Sequence, residues 1–170
     1  MAGNKLSFDV IQSLEALRKD PLMCIDINKY FDQCVFAIEF KDLIGVHGWI
    51  PYHKNYFTDS PIELVKNWRK DATAIDWYNA VWAHTENCII HKLFPKKRLI
   101  LGHWHAWRLA NAFDENELRY NPQTKEVDCS TYATDKYIAI DGMSSYDYGG
   151  CVNVYIYETD ETPTLIKGSK

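Results

Sequence analysis

The chain predicts an α/β fold, a layered mixed β-sheet with flanking helices, from three observations. Short apolar runs end in glycine-flanked polar residues at Leu43 to Gly48, Leu99 to His105 and Tyr137 to Gly142. Such runs between turn signals read as strands. Between and before them, apolar residues recur at three- and four-residue spacing, as on the packed face of a helix. No apolar run approaches the roughly 18 residues that a membrane span needs. One domain is therefore expected over residues 1–160, with 161–170 as a polar tail.

The elements follow in order. Leu6, Val10, Ile11, Leu14 and Leu17 mark a helix over 6–19, ended by Asp20-Pro21. Asp26 caps a shorter helix reaching Cys34. Val35 to Glu39 and Leu43 to His47 form a hairpin with Lys41-Asp42 near its turn, and 51–61 is a loop. Ser60-Pro61-Ile62-Glu63 reads as the start of a helix to Lys70, with Ser60 capping and Pro61 in the first turn. A longer helix spans Ala74 to Lys92, with Ile75, Tyr78, Val81, Trp82, Cys88 and Ile89 on its apolar face. After Pro95-Lys96-Lys97 comes the strand ending in His103. Residues 112–136 are polar and aperiodic, a surface loop. Tyr137 to Asp141 is a strand, 146–150 a turn, and Cys151 to Tyr157 alternates as a half-buried strand does. Residues 158–170 read as tail.

Composition excludes several functions. A net charge of -4 and a pI near 5.8 leave no basic footprint, so no nucleic-acid partner is expected. The N-terminus lacks an apolar signal core, and no membrane partner is expected. Five cysteines, an odd number with no Cys-x-x-Cys spacing, point to reduced thiols packed as small hydrophobes in the cytoplasm. At 170 residues the chain is long enough for a substantial core.

Gly102-His103-Trp104-His105 is where chemistry concentrates. Two histidines two positions apart on extended backbone point to one side, and the preceding glycine allows a sharp turn or a close approach. His47, at the end of another short strand, adds a third imidazole. Imidazoles aimed at one small volume are suited to zinc, iron or manganese.

In this order, Val46-His47-Gly48, Gly102-His103-Trp104-His105, Tyr137 to Gly142 and Gly149 to Val154 resemble the C-terminal half of a calcineurin-like metallophosphoesterase, closest to its bacterial and phage serine/threonine-phosphatase-like branch. The resemblance covers about residues 35–157 and implies half of an αββα sandwich. It also implies hydrolysis of phosphate esters at a centre holding one or two divalent ions (Mn, Fe or Zn). His47 and His103 would bind one metal and His105 the other. Asp141 either orients a ligand histidine from behind or sets the Asp-Gly turn, and Arg108 either approaches phosphate or is solvated. Trp49 and Trp104 either wall the pocket or pack, whereas His53, His84 and His91 match no family motif.

The departures are as informative. The family's first three motifs, Asp-x-His, Gly-Asp-x-x-Asp and Gly-Asn-His-Asp/Glu, have no intact counterpart here. Gly3-Asn4-Lys5 is either a decayed third motif or a turn, and the chain is expected to start inside the family's domain. Three neutral imidazoles can hold one Zn²⁺ with an open position, but not two cations without a bridging carboxylate. The expectation is at most one metal and little activity for this chain alone. A complementary N-terminal chain, or self-association over an uncovered sheet, would be its partner. The rival reading is a non-catalytic interaction or regulatory protein retaining half of the fold. A His-x-His β-barrel oxygenase ranks last, because no glutamate follows His105 before Glu115.

Overall fold

The computed structural model describes residues 15, 18–55, 57–143 and 150–167. The chain divides into two compact units, Met1–Cys34 and Val35–Lys170. In the first, helix α1 (Pro21–Gln33) starts where the sequence predicts a helix end. The Asp20 carboxylate accepts from the Leu22 and Met23 amides at 3.0 and 3.1 Å, and Pro21 follows it with no N–H to satisfy. Asp-Pro is both a stop and a start signal, which is why the pattern misplaces this boundary. Most of the helix expected over 6–19 lies outside the described residues.

The second unit runs β1 (Ala37–Glu39), β2 (Leu43–Val46), β3 (Tyr52–Lys54), β4 (Pro61–Leu64), α2 (Trp68–Asp71), α3 (Ala74–Val81), α4 (Thr85–Ile90), β5 (Arg98–His105), α5 (Ala106–Phe113), β6 (Tyr132–Ala133), β7 (Tyr137–Asp141) and β8 (Thr164–Ile166). Six strands form a mixed sheet in the order β6-β7-β5-β2-β1-β8. The neighbours β2, β5 and β7 are parallel, and the outer pairings are antiparallel. Parallel neighbours need crossovers; β3 to α4 bridge β2 to β5, and α5 lies between β5 and β7 in the chain. The expected mixed sheet with flanking helices is present.

Ile44, Leu99, Leu101, Tyr137 and Ala139 form the buried centre of this sheet, joined by Trp49, Trp77 and Leu109. One ionic cluster sits at its margin. The half-exposed Arg69 of α2 donates Nε and Nη2 to the buried Glu39 carboxylate, and Lys97 Nζ approaches the same carboxylate at 2.7 Å. Lys97 also donates to the Phe40 carbonyl at 2.5 Å. Arg69 and Lys97 together hold the Glu39 carboxyl at about 2, well below the usual carboxylate range, against the opposing effect of burial.

Several expectations are corrected. Ser60-Pro61 opens no helix; Pro61 begins β4, which pairs with β3 inside the expected loop. Proline is tolerated at the first residue of a strand, so one signal serves both elements. The helix expected over 74–92 breaks at Trp82-Ala83-His84 into α3 and α4. The Ala80 carbonyl accepts from the Trp49 amide at 2.8 Å and from the Ala83 amide at 3.3 Å, a tertiary bond beside a tight turn where the helix ends. Its apolar face differs in part: Cys88 is buried as expected, but Trp77 and Ala80 are buried while Ile75, Tyr78 and Trp82 are exposed. Helix α5, unanticipated, occupies residues read as following the strand. The expected loop over 112–136 is mostly irregular, but contains a bridge between Tyr120 and Val127 and ends in β6.

The C-terminal stretch differs most. Residues 151–157 pair with no strand among the described residues, and Val152, Val154 and Ile156 are 82, 76 and 78% exposed. Conversely Thr164–Ile166, read as tail, adds to β1 as β8. The turn over 146–150 falls almost wholly outside the described residues, as do Gly3-Asn4-Lys5. No helix among the described residues is long and apolar enough to cross a membrane. Cys88 and Cys129 pack as small buried groups, with burial pushing the Cys88 thiol up to about 12, whereas Cys34 is exposed.

Candidate metal centre

The C-terminal ends of the parallel strands β2, β5 and β7 carry the candidate residues. Along β5 and β7, Leu101 faces Ala139 and His105 faces Asp141. Four residues of β5 therefore span two of β7, a bulge that falls on Gly102-His103-Trp104. Bulges re-aim side chains at the ends of sheets. Here the bulge delivers the His103 ring to His47: their centroids are 4.8 Å apart.

His47 is fixed from two sides. Its carbonyl accepts from the Gly102 amide at 2.9 Å, extending the β2–β5 ladder by one bond. The next residue, Gly48, passes so close to the end of α3 that a Cβ there would lie 2.5 Å from the Val81 carbonyl oxygen and 2.6 Å from that of Ala80. Only glycine permits that approach. Trp49 then anchors the exit, donating Nε1 to the Leu93 carbonyl at 2.9 Å. The glycine after the histidine thus serves a packing role that places the imidazole.

His105 is oriented by Asp141, whose Oδ1 lies 3.1 Å from Nδ1. A carboxylate oxygen accepts, so Nδ1 is the donor of this pair and Asp141 fixes which way the ring faces. The same oxygen accepts from the Met143 amide at 2.8 Å. Asp141 therefore does both things the sequence allows: it orients a histidine and sets its own turn. Burial, followed by the neighbouring His47, lowers the proton affinity of His103. A neutral imidazole with an available lone pair is the form that binds metals.

His103, Trp104, His105 and Arg108 line an open cavity of about 190 Å³. Arg108 is exposed, and its guanidinium lies 5.3 Å from the Trp107 ring. Trp104 walls the cavity and donates Nε1 to the Ala83 carbonyl at 2.9 Å, while Trp49 is core. The structure adds two residues to the neighbourhood. The Trp82 ring stands edge-on to both His47 and His103, at 6.2 and 5.5 Å. His84 lies against Trp104 at 5.6 Å and adds to the positive field at His103. Nothing in the sequence marks them, since the break between α3 and α4 that turns them here is tertiary. His53 lies 4.0 Å from Asp76, and His91 caps the C-terminal end of α4.

The donor set is partial. Among the described residues, no group of three or more His, Cys, Asp or Glu side chains converges into a ready metal cage. His47 and His103 form an imidazole pair, with His105 and Asp141 beside the same strand ends. No protein-family model, curated protein or solved structure matches this chain.

Proposed function

We propose that this chain carries the imidazole half of a metal-dependent phosphoesterase centre. What carries the reading is the meeting of His47 and His103 from neighbouring parallel strands, with the His105 ring held by Asp141. Strand ends of an open α/β sheet are where such folds place ligands. His47 and His103 would hold one divalent ion (Mn, Fe or Zn), and His105 would bind a second. A bound metal would supply Lewis-acid polarisation of a phosphoryl oxygen and a nucleophilic hydroxide near neutral pH. Arg108, at the same cavity, would bind the phosphate of the ester through its fork of donors.

Two cations about 3.5–4 Å apart need bridging and terminal carboxylates, and the described residues contribute only Asp141, already committed to His105 and Met143. The remaining ligands would come from a complementary chain. The half-fold of a metallophosphoesterase sandwich belongs to this proposal. A non-catalytic interaction protein is the second reading, favoured by the exposed alternating stripe of Val152, Val154 and Ile156.

The test is metal content and hydrolysis of an aryl phosphate with added Mn²⁺. The chain alone should bind about one equivalent and turn over slowly. Activity should rise by orders of magnitude when a segment bearing Asp-x-His, Gly-Asp-x-x-Asp and Gly-Asn-His motifs is added, and should vanish in His103→Ala. Two tightly bound metals with robust turnover by the chain alone would refute the half-site. Absence of metal and of turnover even with that segment would favour the interaction protein.

A further inference from the structure

A second cavity, of about 260 Å³, opens between the β3–β4 hairpin and the helices α3 and α4. Trp82 forms part of its wall and is also the ring that stands edge-on to His47 and His103. The cavity is therefore next to the imidazole pair, separated by one side chain. Tyr78 lies one helical turn before Trp82 and lines the same cavity; both rings are more than half exposed. Large aromatic rings held side by side toward solvent offer stacking surface.

The polar lining is specific in kind. Asn79 and Asn87 face the cavity from α3 and α4, and neither side-chain amide has a hydrogen-bond partner among the described residues. Lys54, paired with Asp59 at 3.0 Å, stands on the hairpin side. Aromatic faces with unpaired amides nearby match a planar ring that stacks and also hydrogen-bonds at its edge. A phenyl ring offers these half-buried amides no hydrogen-bonding edge. The volume suits one heterocycle and part of a sugar, below the range of about 300–1,000 Å³ for drug-sized ligands.

We propose that this cavity holds the base of a nucleoside phosphate whose phosphoryl group reaches the imidazole pair. The substrate assignment rests on the phosphoesterase reading, but the base site itself does not. The test uses nucleosides, which carry no phosphate, and no added metal. Binding of adenosine, guanosine, cytidine and uridine to the whole chain is followed by tryptophan fluorescence and saturation-transfer NMR, with ribose and phenol as comparators. At least one nucleoside should bind on the order of tenfold more tightly than phenol or ribose. Trp82→Ala and Tyr78→Ala, both at exposed positions, should each weaken it by a similar factor, with circular dichroism unchanged. Nucleosides binding no better than phenol, or equally well to both variants, would overturn the assignment. Aryl-phosphate turnover without nucleoside binding would sink this inference alone. Nucleoside binding without turnover under the conditions above would sink only the phosphoesterase reading.

Discussion

The strands β5 and β7 and the stretch 151–157 carry equally good strand patterns, yet they end in opposite places. In β5 and β7, Leu99, Leu101, Ile138 and Ala139 are sealed in the core. In the C-terminal stretch, Val152, Val154 and Ile156 are exposed and no strand among the described residues pairs with them. Alternation of apolar residues reports that a face exists; whether it is covered depends on what else is present. Within this unit β5 has a parallel neighbour on each side, and α5 packs on both it and β7. The stripe is apolar and exposed, whereas Cys151 and Asn153 on the alternate positions bond inward to the Cys129 carbonyl at 3.1 and 2.7 Å.

The largest contrast is expected from truncating each region. Leu99→Ala should cost about 3 kcal/mol in urea unfolding, since it empties a sealed site. Val154→Ala should change stability by less than about 0.5 kcal/mol. A cost above about 2 kcal/mol at Val154 would mean that the stripe is covered in solution.

Gly48→Ala comes next. Its added methyl group would meet the Val81 carbonyl at 2.5 Å, so the loop or α3 must move, at about 2 kcal/mol. Gly45→Ala, inside β2 with its nearest neighbour at 3.8 Å, should be nearly neutral. Equal effects at the two glycines, read by thermal unfolding, would break the claim that Gly48 positions His47.

Glu39 gives a smaller, pH-dependent effect. Its carboxyl is held at about 2 in the folded chain against 4.5 without partners, so it binds fewer protons folded than unfolded. The stabilisation is present above pH 4.5 and is lost as pH falls toward 2. Because Arg69 and Lys97 are partly exposed, it amounts to on the order of 1–2 kcal/mol. Glu39→Gln should remove that much at pH 7 and flatten the acid limb of stability against pH. An unchanged acid limb would show that the cluster contributes nothing.

The contrast also explains what could be read from the sequence. The hairpin of β1 and β2, the strands β5 and β7, and the proximity of His47 to His103 were legible because each depends on a local apolar run and its terminal turn. The bulge that re-aims His103 was not, since it is a mismatch between two strands rather than a property of either. The break between α3 and α4 escaped because it lies where Trp49, distant in sequence, bonds to the Ala80 carbonyl. Strand β8 escaped because its three residues gain their order only by adding to β1. Trp82 and His84 became neighbours of the site through that same break, so no spacing rule could place them.

The central claim is that His47 and His103 share a cation, and imidazole ¹⁵N NMR during a Zn²⁺ titration tests it most directly. Ring nitrogens of both histidines should shift together and saturate near one equivalent, and either His47→Ala or His103→Ala should abolish the shift of the remaining ring. Unmoved signals from both rings, or a zinc response confined to His53 or His91, would contradict the account.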